Sequence, residues 1–322
     1  MVDRQTKLEL VLVTSLLVLL CAACATETPE PEATPENLFA GRWDVTVQGQ
    51  DGPYPSWFEL ELENGIWKGR FVGRVGSARP IQEISIEGHQ LRFSLPVQYE
   101  SHPEDMWFEG TYRDDIIEGT TNAEDGTILT WTARRAPSLE RTSPPEWGDP
   151  IDLTAGPLED NWRPRDPEAE NHWRLQDGIL ENTGRGSDLV TRQEFDDFKL
   201  HLEFRCPEDS NSGVYLRGRY EVQILDDYGN PPSSVGIGGV YGFLTPTKNA
   251  GLPPGEWQSY DITLVGRRVT IQLNGETVID NQEIPGITGG ALDSNEGDPG
   301  PLMLQGDHGP IMFRNVVVTP AR

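Results

Sequence analysis

Positive charge is scarce in this chain. Its 26 Lys and Arg stand against 52 Asp and Glu, a net charge of -26. Phosphate binding needs a basic footprint, so nucleic acid is excluded as a partner. Cysteine is scarcer still, three in 322 residues. Cys21 and Cys24 fall in the N-terminal leader, which leaves Cys206 alone and no internal disulfide available. Cys206 follows an apolar alternating run and reads as a small packing residue rather than a nucleophile. Sustained helical periodicity is missing, which sets aside a helical fold. Nucleotide-binding motifs are missing as well, so a redox cofactor of that class has no place to bind.

What is present begins with a leader. Arg4 and Lys7 precede an apolar run from Leu10 to Leu20, followed by Cys21-Ala22-Ala23-Cys24. The run is too short to span a bilayer, which takes roughly 20 apolar residues, and its flanks are those of a signal peptide. Small residues ahead of Cys24 resemble a bacterial lipobox, with Cys24 the lipidated first residue and Cys21 where leucine is usual. Ordinary cleavage near Ala23 is the alternative. Either reading expects an exported protein, periplasmic or at the cell surface, and the first expects a membrane anchor. Residues 25–37, rich in Pro, Glu and Thr, then read as a disordered acidic tether.

From 38 to 137 short alternating segments are separated by Gly, Asn and Asp turns, with hairpin signals at Asn64-Gly65 and Asp125-Gly126. Eight strands between Trp43 and Ala133 predict a small antiparallel barrel or sandwich. No catalytic cluster stands out there, His89 and His102 sit beside turn residues, and a binding or spacer role is the default. A Pro-rich joint spans 138–150. Residues 151–322 again alternate, and Asn274-Gly275 between two such runs marks a hairpin. A two-sheet jelly roll of about twelve strands follows, so the chain is all-β.

The second domain is organised around Asn211 to Asp226, NSGVYLRGRYEVQILD. Its even positions, Val214, Leu216, Tyr220, Val222 and Ile224, are apolar. Tyr215, Arg217, Arg219, Glu221 and Gln223 hold the odd ones. Such alternation sends one set into a core and leaves the other on an open face. Parity survives only in one long bent strand or in a hairpin whose loop holds an odd number of residues. Phe198 to Arg205 repeats the pattern, with Lys199, His201 and Glu203 outward. Near the end a strand runs into Gly306-Asp307-His308-Gly309, where His308 is the histidine best suited to proton transfer near neutral pH. A turn histidine bonded to a local carbonyl is the plainer reading.

NSGVYLRGRYEVQILD, GGVYGFLTPTKNAGLPPGEWQSYDI, LNGETVIDN and GPLMLQGDHGPIMFRNV together resemble a bacterial domain family now described as 3-keto-glycoside lyase/hydratase, or 3-keto-disaccharide hydrolase. The resemblance runs in order over roughly 150–322 and omits 38–136. It implies a concanavalin-A-like jelly roll with a sugar-binding sheet face carrying Glu203, Arg217, Glu221, Gln223, Gln305 and His308. It also implies carbohydrate as partner and an upstream sugar oxidase or dehydrogenase to supply the ketone.

A ketone at carbon 3 acidifies the hydrogen on carbon 2. A base removes it, the aglycone leaves from carbon 1, and water adds back across the alkene. The site needs a base, a partner for the oxyanion and an acid for the leaving oxygen. Glu221 or His308 is expected as base and Arg217 as oxyanion partner, with Glu203 a further candidate. Tyr215, Tyr241 and Trp257 are candidate sugar platforms, and Gln223, Asp226, Gln305 and Asp307 further substrate contacts. Some relatives of this chemistry use a divalent metal, but no ligand set here has convincing spacing, and neither metal nor cofactor is expected.

Two other readings stand beside this one. Laminarinase-type glucanases carry Glu-x-Asp-x-x-Glu, and Glu221 to Asp226 shares the register with Gln223 in place of the middle Asp. A non-catalytic lectin-like module is the third possibility.

Overall fold

The computed structural model describes residues 34, 38–99, 104–123 and 125–322. The leader, Cys24 and nearly all of the tether lie outside the described residues. Residues 34–322 form one compact unit.

The first alternating region gives β1 (Gly41–Gly49), β2 (Gly52–Glu63), β3 (Ile66–Val72), β4 (Arg79–Pro80), β5 (Gln82–Glu87), β6 (Gln90–Leu95), β7 (Met106–Arg113), β8 (Ile116–Asn122) and β9 (Ile128–Arg135). They pair antiparallel in the order β4-β3-β2-β1-β9-β8-β7-β6-β5. Only Ile81 separates the two end strands, and its N–H donates to the Gly69 carbonyl at 2.9 Å. One stretch of chain therefore pairs with both edges and nearly closes the sheet, removing the open edges that invite aggregation. Trp43, Phe58, Phe71, Phe93 and Trp131 fill the interior.

Period-2 geometry turns the neighbours of those residues outward. Trp57 and Val72, beside Phe58 and Phe71, are fully buried in the core of the other domain. Trp57 meets Phe243 edge-to-face with ring centroids 5.5 Å apart. A Cβ at Gly286 would lie 2.3 Å from the Trp57 ring, so the loop there rests directly on the indole.

The second region contains β10 (Ile151–Asp152), a one-turn helix α1 (Leu158–Asn161), β11 (Trp162–Pro164), β12 (Trp173–Gln176), β13 (Ile179–Asn182), β14 (Leu189–Phe195) and β15 (Phe198–Arg205). Then come β16 (Asn211–Leu216), β17 (Tyr220–Leu225), β18 (Trp257–Val265), β19 (Arg268–Leu273), β20 (Glu276–Glu283), β21 (Gly300–Leu304) and β22 (Ile311–Pro320). One sheet runs β12-β13-β22-β15-β18-β19-β20, with β10 also on β22; the other runs β11-β14-β21-β16-β17. Leu202, Phe204, Val214, Val222, Tyr260 and Phe313 meet between them, the two-layer sandwich that the alternation predicts.

The organising run is a hairpin of β16 and β17. Leu216 pairs with Tyr220, Tyr215 with Glu221 and Gly213 with Gln223. The loop holds three residues, Arg217-Gly218-Arg219, with φ of 52° at Arg217 and 67° at Gly218. An odd loop keeps parity, as required. The open face expected for the polar row is a different matter. Arg217, Arg219, Glu221 and Gln223 are all buried, and two long turn-rich loops lie against the hairpin. Gln223 N–H donates to Gly239 O at 2.9 Å, Tyr241 N–H to Glu221 O at 3.0 Å, and Leu292 N–H to Gly218 O at 2.8 Å. Alternation reports which side chains share a face. It does not report what distant loops place over them.

Candidate active site

A cavity of about 380 Å³ opens on the polar face of the hairpin sheet. Its floor is Tyr215 and Glu221, paired across the two strands. A Cβ at Gly213 would come within 2.4 Å of the Glu221 carboxyl oxygen, so glycine at that register position is what gives the acid its room. Burial pushes the Glu221 carboxyl up to about 8, since an ion there has lost its water. The Tyr215 hydroxyl lies 3.0 Å from Glu221 Oε2 and 2.9 Å from the Gly289 carbonyl. One phenolic hydrogen cannot serve two acceptors. A protonated Glu221 donates to Tyr215 while Tyr215 donates to Gly289, and every partner is satisfied.

One wall follows β21, where Gln305, Asp307 and His308 line the cavity. His308 Nδ1 bonds to Asp307 Oδ1. That bond raises the imidazole above its ordinary 6.5 against the opposing effect of burial, helped by the charges of Asp307, Glu221 and Asp188. The loop is braced from behind. Gly306 N–H donates to Asp188 Oδ1 at 2.9 Å, and Arg165 Nη1 to Asp188 Oδ2 at 3.0 Å. The same guanidinium donates to Gly290 O at 3.1 Å and Ala291 O at 3.3 Å, tying the opposite rim to the same carboxylate.

Polar side chains complete the lining. Asn211 Oδ1 and Gln305 Oε1 are buried amide oxygens with no partner within the protein. Buried acceptors are nearly always paired, so two orphans facing one cavity are disposed to receive hydroxyl donors. Gln223 and half-buried Tyr241 also line it, as do Val75, Gly76 and Tyr99 from the barrel.

The placements sort the expected residues. Tyr215, Glu221, Gln223, Tyr241, Gln305, Asp307 and His308 come together around the cavity. Arg217 does not. Its guanidinium is wholly buried on the other side of the hairpin, donating to Asp196 at 3.2 Å, the Tyr220 hydroxyl at 3.1 Å and Gly266 O at 3.0 Å. Alternation ends at the turn, and the left-handed backbone at 217 redirects the side chain; an oxyanion role for it is corrected. Glu203 lies on the outer face of the other sheet, paired with Arg314 and Asn315. Trp257 lies there too, with Arg314 4.1 Å over its ring. Asp226 accepts the Asp209 N–H at 3.0 Å at the end of β17, outside the lining.

Asn211 was legible in principle, since it shares the parity of Tyr215, but the barrel residues were not. Among the described residues, no three His, Cys, Asp or Glu side chains gather in a ligand geometry.

A family model described as the 3-keto-alpha-glucoside-1,2-lyase-like domain matches residues 149–319. Among solved structures, a candidate glycosyl hydrolase from Parabacteroides distasonis is 29% identical with a TM-score of 0.44, over 56% of this chain and 92% of that one. Another from the same organism is 27% identical with a TM-score of 0.42, over 53% and 98%. The carbohydrate-binding module CBM66 from Bacillus subtilis is 12% identical with a TM-score of 0.35, over 49% and 95%. No curated protein matches the chain.

Proposed function

The chain belongs to the 3-keto-alpha-glucoside-1,2-lyase-like family, whose β-sandwiches act on carbohydrate, and from that premise we propose that it cleaves 3-keto-glycosides by elimination and hydration. The observation that carries this reading is a buried carboxyl, held near 8, sharing one small cavity with a histidine raised by its own aspartate. Proton transfer is most effective when the group's pKa lies near the working pH.

In the proposed reaction the Glu221 carboxylate takes the proton from carbon 2. The electron pair forms an enediolate on carbons 2 and 3, whose oxygen is held by the amide NH2 groups of Asn211 and Gln305. The pair then forms the carbon 1–carbon 2 double bond and expels the glycosidic oxygen, which His308, protonated and oriented by Asp307, supplies with a proton. Water adds at carbon 1, and a proton returns to carbon 2. The sum is hydrolysis. Asn211 Oδ1 and Gln305 Oε1 accept sugar hydroxyls meanwhile. A laminarinase-type displacement has little support, because Asp226 lies outside the cavity. The reading keeps Cys24 as the lipid attachment site of an exported protein, tested by mass spectrometry of the membrane fraction. It also keeps a separate sugar 3-oxidase or dehydrogenase as the source of substrate.

Purified protein incubated in D2O with a 3-keto-α-glucoside and with its unoxidised parent tests the mechanism. Aglycone release from the keto sugar alone, with deuterium appearing at carbon 2, is expected. Equal release from both substrates would overturn the scheme, and binding without release from either would leave a lectin.

A further inference from the structure

The family match begins at residue 149, yet Val75, Gly76 and Tyr99 of the barrel line the same cavity as Glu221 and His308. The seam that brings them there is tight. Gly290 N–H donates to Arg74 O at 2.9 Å. A Cβ at Gly289 would lie 2.2 Å from Gly76 O, and one at Gly242 would lie 2.6 Å from Ser77 Cβ. Backbone rests on backbone, which only glycine permits. This barrel loop is a fixed wall of the cavity.

Tyr99 is pinned on that wall. Gly76, at φ +84°, makes room for it, since a Cβ there would meet the Tyr99 ring at 2.8 Å and Gln98 Oε1 at 2.4 Å. Gln98 Nε2 donates to Ser77 Oγ at 2.9 Å. Hydrogen bonding to Tyr99 also helps raise Tyr241, after burial, to about 12. The residue is nevertheless 66% exposed. Exposure grades outward across the cavity, from Glu221 at 4% through half-buried Tyr241 to Tyr99. A sugar whose carbons 1 and 2 react at the floor projects its leaving group toward the rim.

We propose that the barrel is the leaving-group half of the site, and that Tyr99 is the platform on which a ring-shaped aglycone stacks. The orientation rests on the elimination reading above; the aromatic subsite does not. None of the three barrel residues in the lining carries a charge, so the barrel contributes selectivity rather than proton transfer. Glycosides whose aglycone is a second ring are preferred over those with a methyl group. Tyr99 is a specificity-determining residue.

NMR titration of wild type, Tyr99→Ala and Tyr99→Phe with an unoxidised α-linked glucose disaccharide and with methyl α-glucoside tests this without turnover. Wild type is expected to favour the disaccharide. Tyr99→Ala weakens the disaccharide about five- to tenfold, the worth of one aromatic face, and shifts the methyl glucoside less than about twofold. Tyr99→Phe behaves as wild type, with melting temperature unchanged in both variants. Equal effects on the two sugars, no effect on either, or no binding by wild type would each overturn the proposal. Turnover of the 3-keto forms is measured separately. A ring preference that depends on Tyr99, without turnover, removes the enzymatic reading and leaves the subsite.

Discussion

Glu221 and Glu296 are both buried, and both are reached from the β16–β17 hairpin, Glu221 by Tyr215 on one face and Glu296 by Tyr220 on the other. Glu296 accepts from Arg267 Nη2 at 2.6 Å, Arg267 Nε at 3.1 Å and the Tyr220 hydroxyl at 2.7 Å. Burial pushes its carboxyl up, but the bonds and charge of Arg267 prevail and hold it below the usual range. Its neighbour across the domain seam, Asp44, is pushed by burial and by Glu296 to about 9. Glu221 has one shared phenol and a cavity, and burial prevails. A carboxylate kept for structure is saturated with donors, whereas one poised to exchange a proton is left short of them.

Replacing each residue separates the two roles. Glu221→Gln should lose about 10²- to 10⁴-fold in kcat while retaining sugar affinity, read by turnover and titration on one preparation. Its stability should move the other way. Glu221 titrates higher folded than unfolded, so the stability it contributes is complete below about 4.5 and is lost as pH rises toward 8. Glutamine mimics the protonated form, and the variant should be more stable by on the order of 2–4 kcal/mol at pH 8, and much less at pH 5. In wild type, activity should follow a bell whose limbs belong to the Glu221–His308 pair, rising as Glu221 loses its proton near 8 and falling as the raised imidazole of His308 loses its own.

Glu296→Ala should do the reverse. It leaves Arg267 buried without its partner, at a cost of about 3–5 kcal/mol by denaturant unfolding, with kcat per folded molecule unchanged. A fall in kcat there would break the distinction between the two carboxyls. Gly213→Ala sharpens it: the added methyl displaces the Glu221 carboxyl, and kcat should fall about tenfold, some 1.4 kcal/mol of activation barrier. Asp44→Asn probes the other side of the same seam. Asp44 also titrates above its unfolded value, so its contribution is lost between about 4 and 9. Asparagine, which cannot ionise, should gain on wild type as pH rises from 5 to 9, read by thermal melts at the two pH values.

Much of the site was legible. Period-2 alternation placed Tyr215, Glu221 and Gln223 on one side of a hairpin, and the glycine-flanked loop singled out Asp307 and His308. Arg217 misled because alternation stops where the chain turns. Glu203 misled because a polar face does not say which sheet owns it. Tyr99 and Gly76 were invisible, being remote in sequence from every residue of the hairpin.

The sequence by itself determined the all-β architecture, the parity of the hairpin strands and the placing of Glu221 in the row with Tyr215. Those are local properties, set by backbone period and turn chemistry. Only the tertiary structure decided which polar row was roofed, which arginine was taken into the core and which barrel loop closed the cavity. Those depend on contacts between distant segments, and the titration of Glu221 follows from the water those contacts exclude.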